Sequence, residues 1–196
     1  MKKSILLLLL TFICSCNSKK ESDKTEHEKK EIKREYLEQK FDNGISIQTE
    51  IYIYPNGDSI PNQQKIYKNQ ILDTLESHFY ELQFEHLQND KFKGKLTYFS
   101  NFDTIPKDKI FSRKIEFSFL QKNTDSTKYV DYKFTESNVL NFEYNDFNDL
   151  SLYGYIRESI TMEAISNKND MTRILERYIL IDNKNPTENP FDIRLY

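Results

Sequence analysis

Residues 44–54 read GISIQTEIYIY, and the run alternates without a break. Ile45, Ile47, Thr49, Ile51 and Ile53 fall on one phase; Ser46, Gln48, Glu50, Tyr52 and Tyr54 fall on the other. A period of two in β-branched and aromatic types marks a half-buried strand, because successive strand side chains point to opposite faces. Pro55-Asn56-Gly57-Asp58 then predicts a turn, since Gly57 tolerates a positive φ and Pro55 lacks a backbone donor.

The same pattern recurs along the chain. Strands are expected at Gln64–Lys68, His78–Leu87, Gly94–Ser100, Phe111–Gln121, Lys128–Thr135, Val139–Asn145, Leu152–Ala164, Leu175–Asp182 and Phe191–Leu195. Turn-forming clusters separate them, including Lys122–Thr127, Asn145–Asp149 and Asn167–Asp170. Two segments also fit helical spacing: Ile71, Leu72, Leu75, His78, Phe79 and Leu82, and Met171, Ile174, Leu175, Tyr178 and Ile179. The first reads equally well as helix or strand. The second reads as strand, because Tyr178-Ile179-Leu180-Ile181 is β-prone. About eight to ten short strands with turns between them predict an all-β, mainly antiparallel sandwich or barrel, with room for one or two short helices.

Catalytic signatures are sparse. Four glycines stand far apart, so no phosphate-cradling loop, Rossmann fingerprint or nucleophile elbow can be written. Three histidines include no HExxH. The residues assign no catalytic group, metal or cofactor. Asn145-Asp146-Phe147-Asn148-Asp149 clusters oxygens, but without the spacing of an EF-hand loop. Glu158 stands out as a carboxylate inside the apolar set Leu152, Ile156, Ile160 and Met162, with Arg157 turned the other way in an unbroken strand; a bulge or rim position would account for it. The 27 aromatic residues mostly share the apolar phase. Tyr52, Tyr54, Phe79 and Tyr153 do not. They predict either a second buried face or an exposed patch, and Tyr52, Tyr54 and Phe79 are the candidate binding surface.

The amino terminus carries a separate signal. Lys2 and Lys3 precede an apolar stretch, Ser4 to Ile13. Ten residues make roughly 15 Å of helix, half of a ~30 Å hydrocarbon core, which suits a secretory signal and not a membrane span. Ile13-Cys14-Ser15-Cys16 follows, and no cysteine occurs after it. This run resembles the lipobox of bacterial lipoproteins: an aliphatic residue, a small residue, then the cysteine. The resemblance covers about the first 20 residues. It implies cleavage before Cys16 and acylation of Cys16, with Cys14 the rival position. Several acyl chains on one residue anchor a protein firmly. The Lys-, Asn-, Ile-, Phe- and Tyr-rich usage around a charged tether also resembles envelope lipoproteins of Bacteroidetes-type bacteria.

Three regions are therefore expected: a signal peptide at 1–15, the lipidated cysteine with a charged tether at 16–40, and one β-rich domain at 41–196. The tether has only Ile32, Tyr36 and Leu37 as sizeable apolar groups and cannot fold alone; a frayed helix over Lys24–Gln39 would suit its charge pairs. Residues 41–196 hold 18 basic and 24 acidic side chains, which gives no electrostatic reason to seek nucleic acid. The expected protein is a lipid-anchored component of the bacterial cell envelope, facing the periplasm or the outside, whose domain binds a protein or envelope polymer without catalysis. An immunity or inhibitor lipoprotein against a toxin or enzyme, and a hydrolase built on paired carboxylates, are the alternatives.

Overall fold

The computed structural model describes residues 31–87, 91–122, 127–134, 138–145, 152–163 and 172–184, with Pro186, Asn189 and Phe191; residues 122 and 127–134 are described by backbone alone. Ten strands occur among them: β1 (Lys33–Lys40), β2 (Ile45–Ile53), β3 (Ser59–Lys68), β4 (Ile71–His86), β5 (Lys91–Phe99), β6 (Ile110–Lys122), β7 (Thr127–Phe134), β8 (Val139–Asn145), β9 (Tyr153–Glu163) and β10 (Thr172–Asp182). They form a six-stranded sheet, β1-β2-β3-β4-β5-β8, and a four-stranded sheet, β10-β9-β6-β7. Every pairing is antiparallel. The two sheets pack as a sandwich and not as a closed barrel. Short 3-10 turns at Asn101–Thr104 and Lys107–Lys109 are the helical elements among the described residues.

Local chemistry sets the hairpins. Gly57 has φ +89°, and Tyr54 N–H bonds the Asp58 carbonyl at 2.8 Å, closing the predicted turn between β2 and β3. Asn69 and Gln70, both at positive φ, make the two-residue link between β3 and β4. Such a turn matches the right-handed twist of the flanking strands.

Both segments with helical spacing are strands. In β4 the spacing has a cause: the ladder steps from Gln64↔His78 to Ile66↔Asp73, leaving residues 74–77 as a bulge. Ser77 Oγ accepts the Ile66 N–H at 2.8 Å and donates to the Asp73 carbonyl at 2.6 Å, replacing the missing ladder contacts. Ile71 and Leu75, which gave the helical pattern, are exposed. Phe191 lies in a turn, and the rest of the expected strand 191–195 is outside the described residues.

The boundary at 41 requires correction. Residues 33–40 are neither tether nor frayed helix: they pair residue for residue with β2, from Lys33↔Ile53 to Lys40↔Ser46. The folded unit starts at Glu31. Charge patterning concealed the strand because an edge strand needs a neighbour's backbone more than a buried face. Tyr36 and Leu37 stay 59% and 53% exposed.

The main core lies between the sheets. Leu96 and Tyr98 of β5 and Phe142 and Tyr144 of β8 meet Ile115, Phe117 and Phe119 of β6, Ile156 of β9, and Ile179 and Ile181 of β10. Gly94 is a spacer here: a Cβ would lie 2.2 Å from the Phe142 ring, which sits on it. A second cluster covers the opposite face of β10 at Leu180, with Ile32, Tyr52 and Tyr54, and with Ile60, Tyr155 and Phe191 against them. Burial on both faces explains the unbroken apolar run Ile179-Leu180-Ile181.

Burial in β2 does not follow its isoleucines, because residues of both phases are buried near Ile51. Glu50, Tyr52 and Tyr54 are 2%, 2% and 7% exposed; of the isoleucines on the other phase Ile51 is buried at 8%, while Ile45, Ile47 and Ile53 are only half-buried. Phe79 is fully buried, stacked on Phe99 at 4.4 Å with Lys65 Nζ 4.9 Å from its ring centre. Tyr52, Tyr54 and Phe79 therefore offer no exposed aromatic patch. Tyrosine suits the inward phase because its ring fills space between the sheets while its hydroxyl reaches a buried acceptor.

Candidate functional site

Three buried carboxylates organise two polar networks inside this apolar frame. Glu158, at the middle of β9, is fully buried and stands opposite Ile115 of β6 and Arg177 of β10, away from the one register shift of the β6–β9 ladder at Ile110/Ser112. One oxygen, Oε2, accepts from Tyr98 Oη at 2.8 Å and Ser100 Oγ at 2.6 Å. Oε1 accepts from Arg113 Nε at 2.8 Å and lies 2.6 Å from Arg113 Nη2. Arg113 Nη1 continues to Asp103 at 2.5 Å, and Asn138 donates to the same carboxylate at 3.0 Å. Ser100 Oγ also accepts the Phe102 N–H, capping the 3-10 turn that carries Asp103.

The environment holds Arg113 charged and Tyr98 neutral. Burial opposes the charge of Arg113, but Glu158 and Asp103 outweigh it, and its pKa rises above the ordinary value. Burial first, and then the neighbouring Glu158 charge, raise the Tyr98 phenol, so it stays a donor. Arg157, on the opposite face, pairs with Glu176 at 2.7 Å. Glu158 is thus neither at a bulge nor on a rim: Arg113, from the neighbouring strand β6, makes its burial tolerable.

Beside this network, Arg177 lies 4.2 Å from the centre of the Phe102 ring. His78 is depressed to about 4, by burial first and then by Arg177, and its Nδ1 is buried without a hydrogen-bond partner. Between about pH 6.5 and 4 the unfolded chain binds a proton here that the native chain does not. Stability is therefore expected to fall as pH drops through that window, by up to about 2 kcal/mol from this group at pH 5. Urea midpoints at pH 7 and pH 5 measure the loss, and His78→Gln should make it smaller.

The second network ties β10 to β1, β2 and β3. Asp182 is 1% exposed. Arg34 Nη1 donates to Asp182 Oδ1 at 2.6 Å and to the Asp182 carbonyl at 2.5 Å, and the Tyr52 hydroxyl donates to Asp182 Oδ2. Glu50 accepts from Tyr36 Oη at 3.0 Å, Asn62 Nδ2 at 2.9 Å and Gln63 Nε2 at 2.8 Å, with Arg34 Nε 3.8 Å away. Asn62 also grips the edge of β10, donating to the Leu180 carbonyl at 2.9 Å and accepting the Leu180 N–H at 2.7 Å. Its amide takes the place of a neighbouring strand.

These arrangements hold strands in register. Acid–base catalysis needs a carboxylate free to exchange a proton with a substrate within hydrogen-bond reach. Here the oxygens of Glu158 and Glu50 are taken up by protein donors. Among the described residues, no three His, Cys, Asp or Glu side chains converge as a metal site. Cys16 and Asp146–Asp149 lie outside the described residues. Sequence reasoning singled out Glu158 but missed Glu50, Asp182, Arg34 and Asn62. The available signal was the phase shared by Glu50, Tyr52 and Tyr54, which places an acid beside two aromatics.

Other apolar side chains of β1 to β4 stay partly or largely exposed. Register aligns Ile47 of β2 with Ile66 of β3, and beside them stand Leu37 of β1, Ile45 of β2 and Ile71 of β4. Leu37 and Ile71 are 53% and 73% exposed. Ile45, Ile47 and Ile66 are half-buried, and polar residues interrupt the group: Thr49 stands opposite Leu37, and Lys68 stands between Ile45 and Ile71. No protein-family model, curated protein or solved structure matches the chain.

Proposed function

We propose that this chain is a bacterial envelope lipoprotein, acylated at Cys16, whose β domain binds a protein or envelope polymer without turnover. The exposed side chains of Leu37 and Ile71, with the half-buried Ile45, Ile47 and Ile66 between them, are the observation that carries the binding reading: apolar surface that a fold leaves uncovered marks interaction sites. The engagement of Glu50 and Glu158 with protein donors supports binding over hydrolysis. The lipobox-like Ile13-Cys14-Ser15-Cys16 supports the anchor. With β1 folded, residues 17–30 are the segment left to act as tether.

Metabolic labelling with a palmitate analogue tests the anchor. The unaltered protein should take up label, Cys16→Ser should lose it and remain uncleaved, and Cys14→Ser should change little. Loss of label in the Cys14 variant alone would move the site. Ile47→Ser with Ile66→Ser tests the surface: partner capture from the native envelope should weaken while circular dichroism stays unchanged. Undiminished capture would clear this face of any role.

A further inference from the structure

We propose that the free edge of β1 pairs antiparallel with β1 of a second copy of this chain, about a two-fold axis through Tyr36, joining two six-stranded sheets into one. Among the described residues β1 has a neighbour on one side only. Its ladder with β2 runs without a register shift, so the edge is regular, with no proline or bulge to blunt it. The corresponding edge of the small sheet is treated differently. At Leu180 and Asp182 the outward backbone groups of β10 are occupied by Asn62 and Arg34.

The hydrogen-bond phase limits how such an edge can pair. Phe41 N–H donates to the Ile45 carbonyl at 2.9 Å, so odd-numbered residues of β1 turn their backbone groups to β2. Arg34, Tyr36, Glu38 and Lys40 turn theirs to the free edge. In an antiparallel pair an outward residue must face an outward residue, so the two-fold axis passes through a residue and never between two. Registers overlapping five or more strand residues are centred on Glu35, Tyr36, Leu37 or Glu38. The first and last set a glutamate against itself. The Leu37 register opposes Arg34 with Lys40. The Tyr36 register opposes Arg34 with Glu38, Glu35 with Leu37 and Lys33 with Gln39, and no like charges meet. Like charges directly opposite destabilise a strand pair and opposite charges stabilise it. The charges that disguise β1 as a tether thus select one register. Pairing of this kind requires neither the lipid anchor nor the half-buried isoleucines of β2 and β3.

Cysteine pairs in the full-length chain, oxidised in the envelope of producing cells, test the register. Glu35→Cys and Leu37→Cys chains produced together should form a disulfide-linked dimer, because facing residues of this type have Cα atoms about 4.5 Å apart. Mass spectrometry should map the link to positions 35 and 37. Either variant alone should stay at the level of the unsubstituted chain, since two residues of offset separates like positions by roughly 8 Å. Glu38→Pro should cut the mixed cross-link at least several-fold without changing the melting temperature: the Glu38 N–H faces away from β2, and a proline there costs no internal bond. Cross-linking of Leu37→Cys with itself, no cross-link in the mixture, or a mixed cross-link unmoved by Glu38→Pro would each overturn the pairing.

Discussion

Glu158→Ala is expected to lower folding stability by about 3–5 kcal/mol, the usual effect of removing one member of a buried ion pair. The loss has three parts. Arg113 keeps only the partly exposed Asp103 as counter-charge. Tyr98 and Ser100 lose their acceptor inside the sandwich. A cavity opens where the side chain stood, between β9 and β5. Glu158→Gln should cost less, since an amide oxygen still accepts two of these hydrogen bonds. Urea unfolding with an unchanged slope checks the values. A double variant, Glu158→Leu with Arg113→Met, should recover much of the loss, because apolar residues of similar size replace buried ion pairs well. A catalytic acid would behave otherwise: Glu158→Gln would abolish turnover and leave stability untouched or improved.

Fold class was legible because period two survives composition. The alternations from Ile45 to Ile53, through Ile115, Phe117 and Phe119, and from Val139 to Asn145 all announced strands that the structure contains at nearly those bounds. Direction was not legible. Alternation states that two faces differ, but not which one turns inward, and in β2 Glu50 and Tyr52 are more deeply buried than Ile45, Ile47 and Ile53. The reason is pairwise: Tyr52 and Glu50 are buried because Asp182, Arg34, Asn62 and Gln63 meet them from distant parts of the chain. No local window contains that information. The same holds for β1, whose local composition resembles a solvated linker and whose structure comes from β2. Glu158 was visible as an anomaly within its strand, but its partner Arg113 is set by the β6–β9 register.

Arg34→Met should have an effect of similar size, and its pH dependence should identify the cause. Arg34 is the cation of the second network, set between Asp182 and Glu50, whose side chains are 0% and 2% exposed. Burial weakens its charge and Asp182, with Glu50 behind it, strengthens it; the balance holds its pKa above the ordinary value. Without it Asp182 and Glu50 lose the cation set between them in the interior, at an expected cost of about 3–5 kcal/mol near neutral pH. Burial of a carboxylate without a counter-ion disfavours its charged form, so protonation on acidification relieves the cost. A native state that binds more protons than the unfolded state loses stability as pH rises. The Arg34→Met chain should therefore grow more stable on acidification from pH 8 toward pH 5, against the trend expected from His78 in the unaltered chain. Asp182→Asn in the same background should remove most of that slope and restore part of the stability. Because Arg34 also fixes β1 to β10 through the Asp182 carbonyl, amide exchange in Glu35–Gln39 should accelerate in Arg34→Met before the rest of the sheet responds. A urea midpoint independent of pH in Arg34→Met would show that Asp182 and Glu50 find other compensation, and the second network would lose its role as the tie between the sheets.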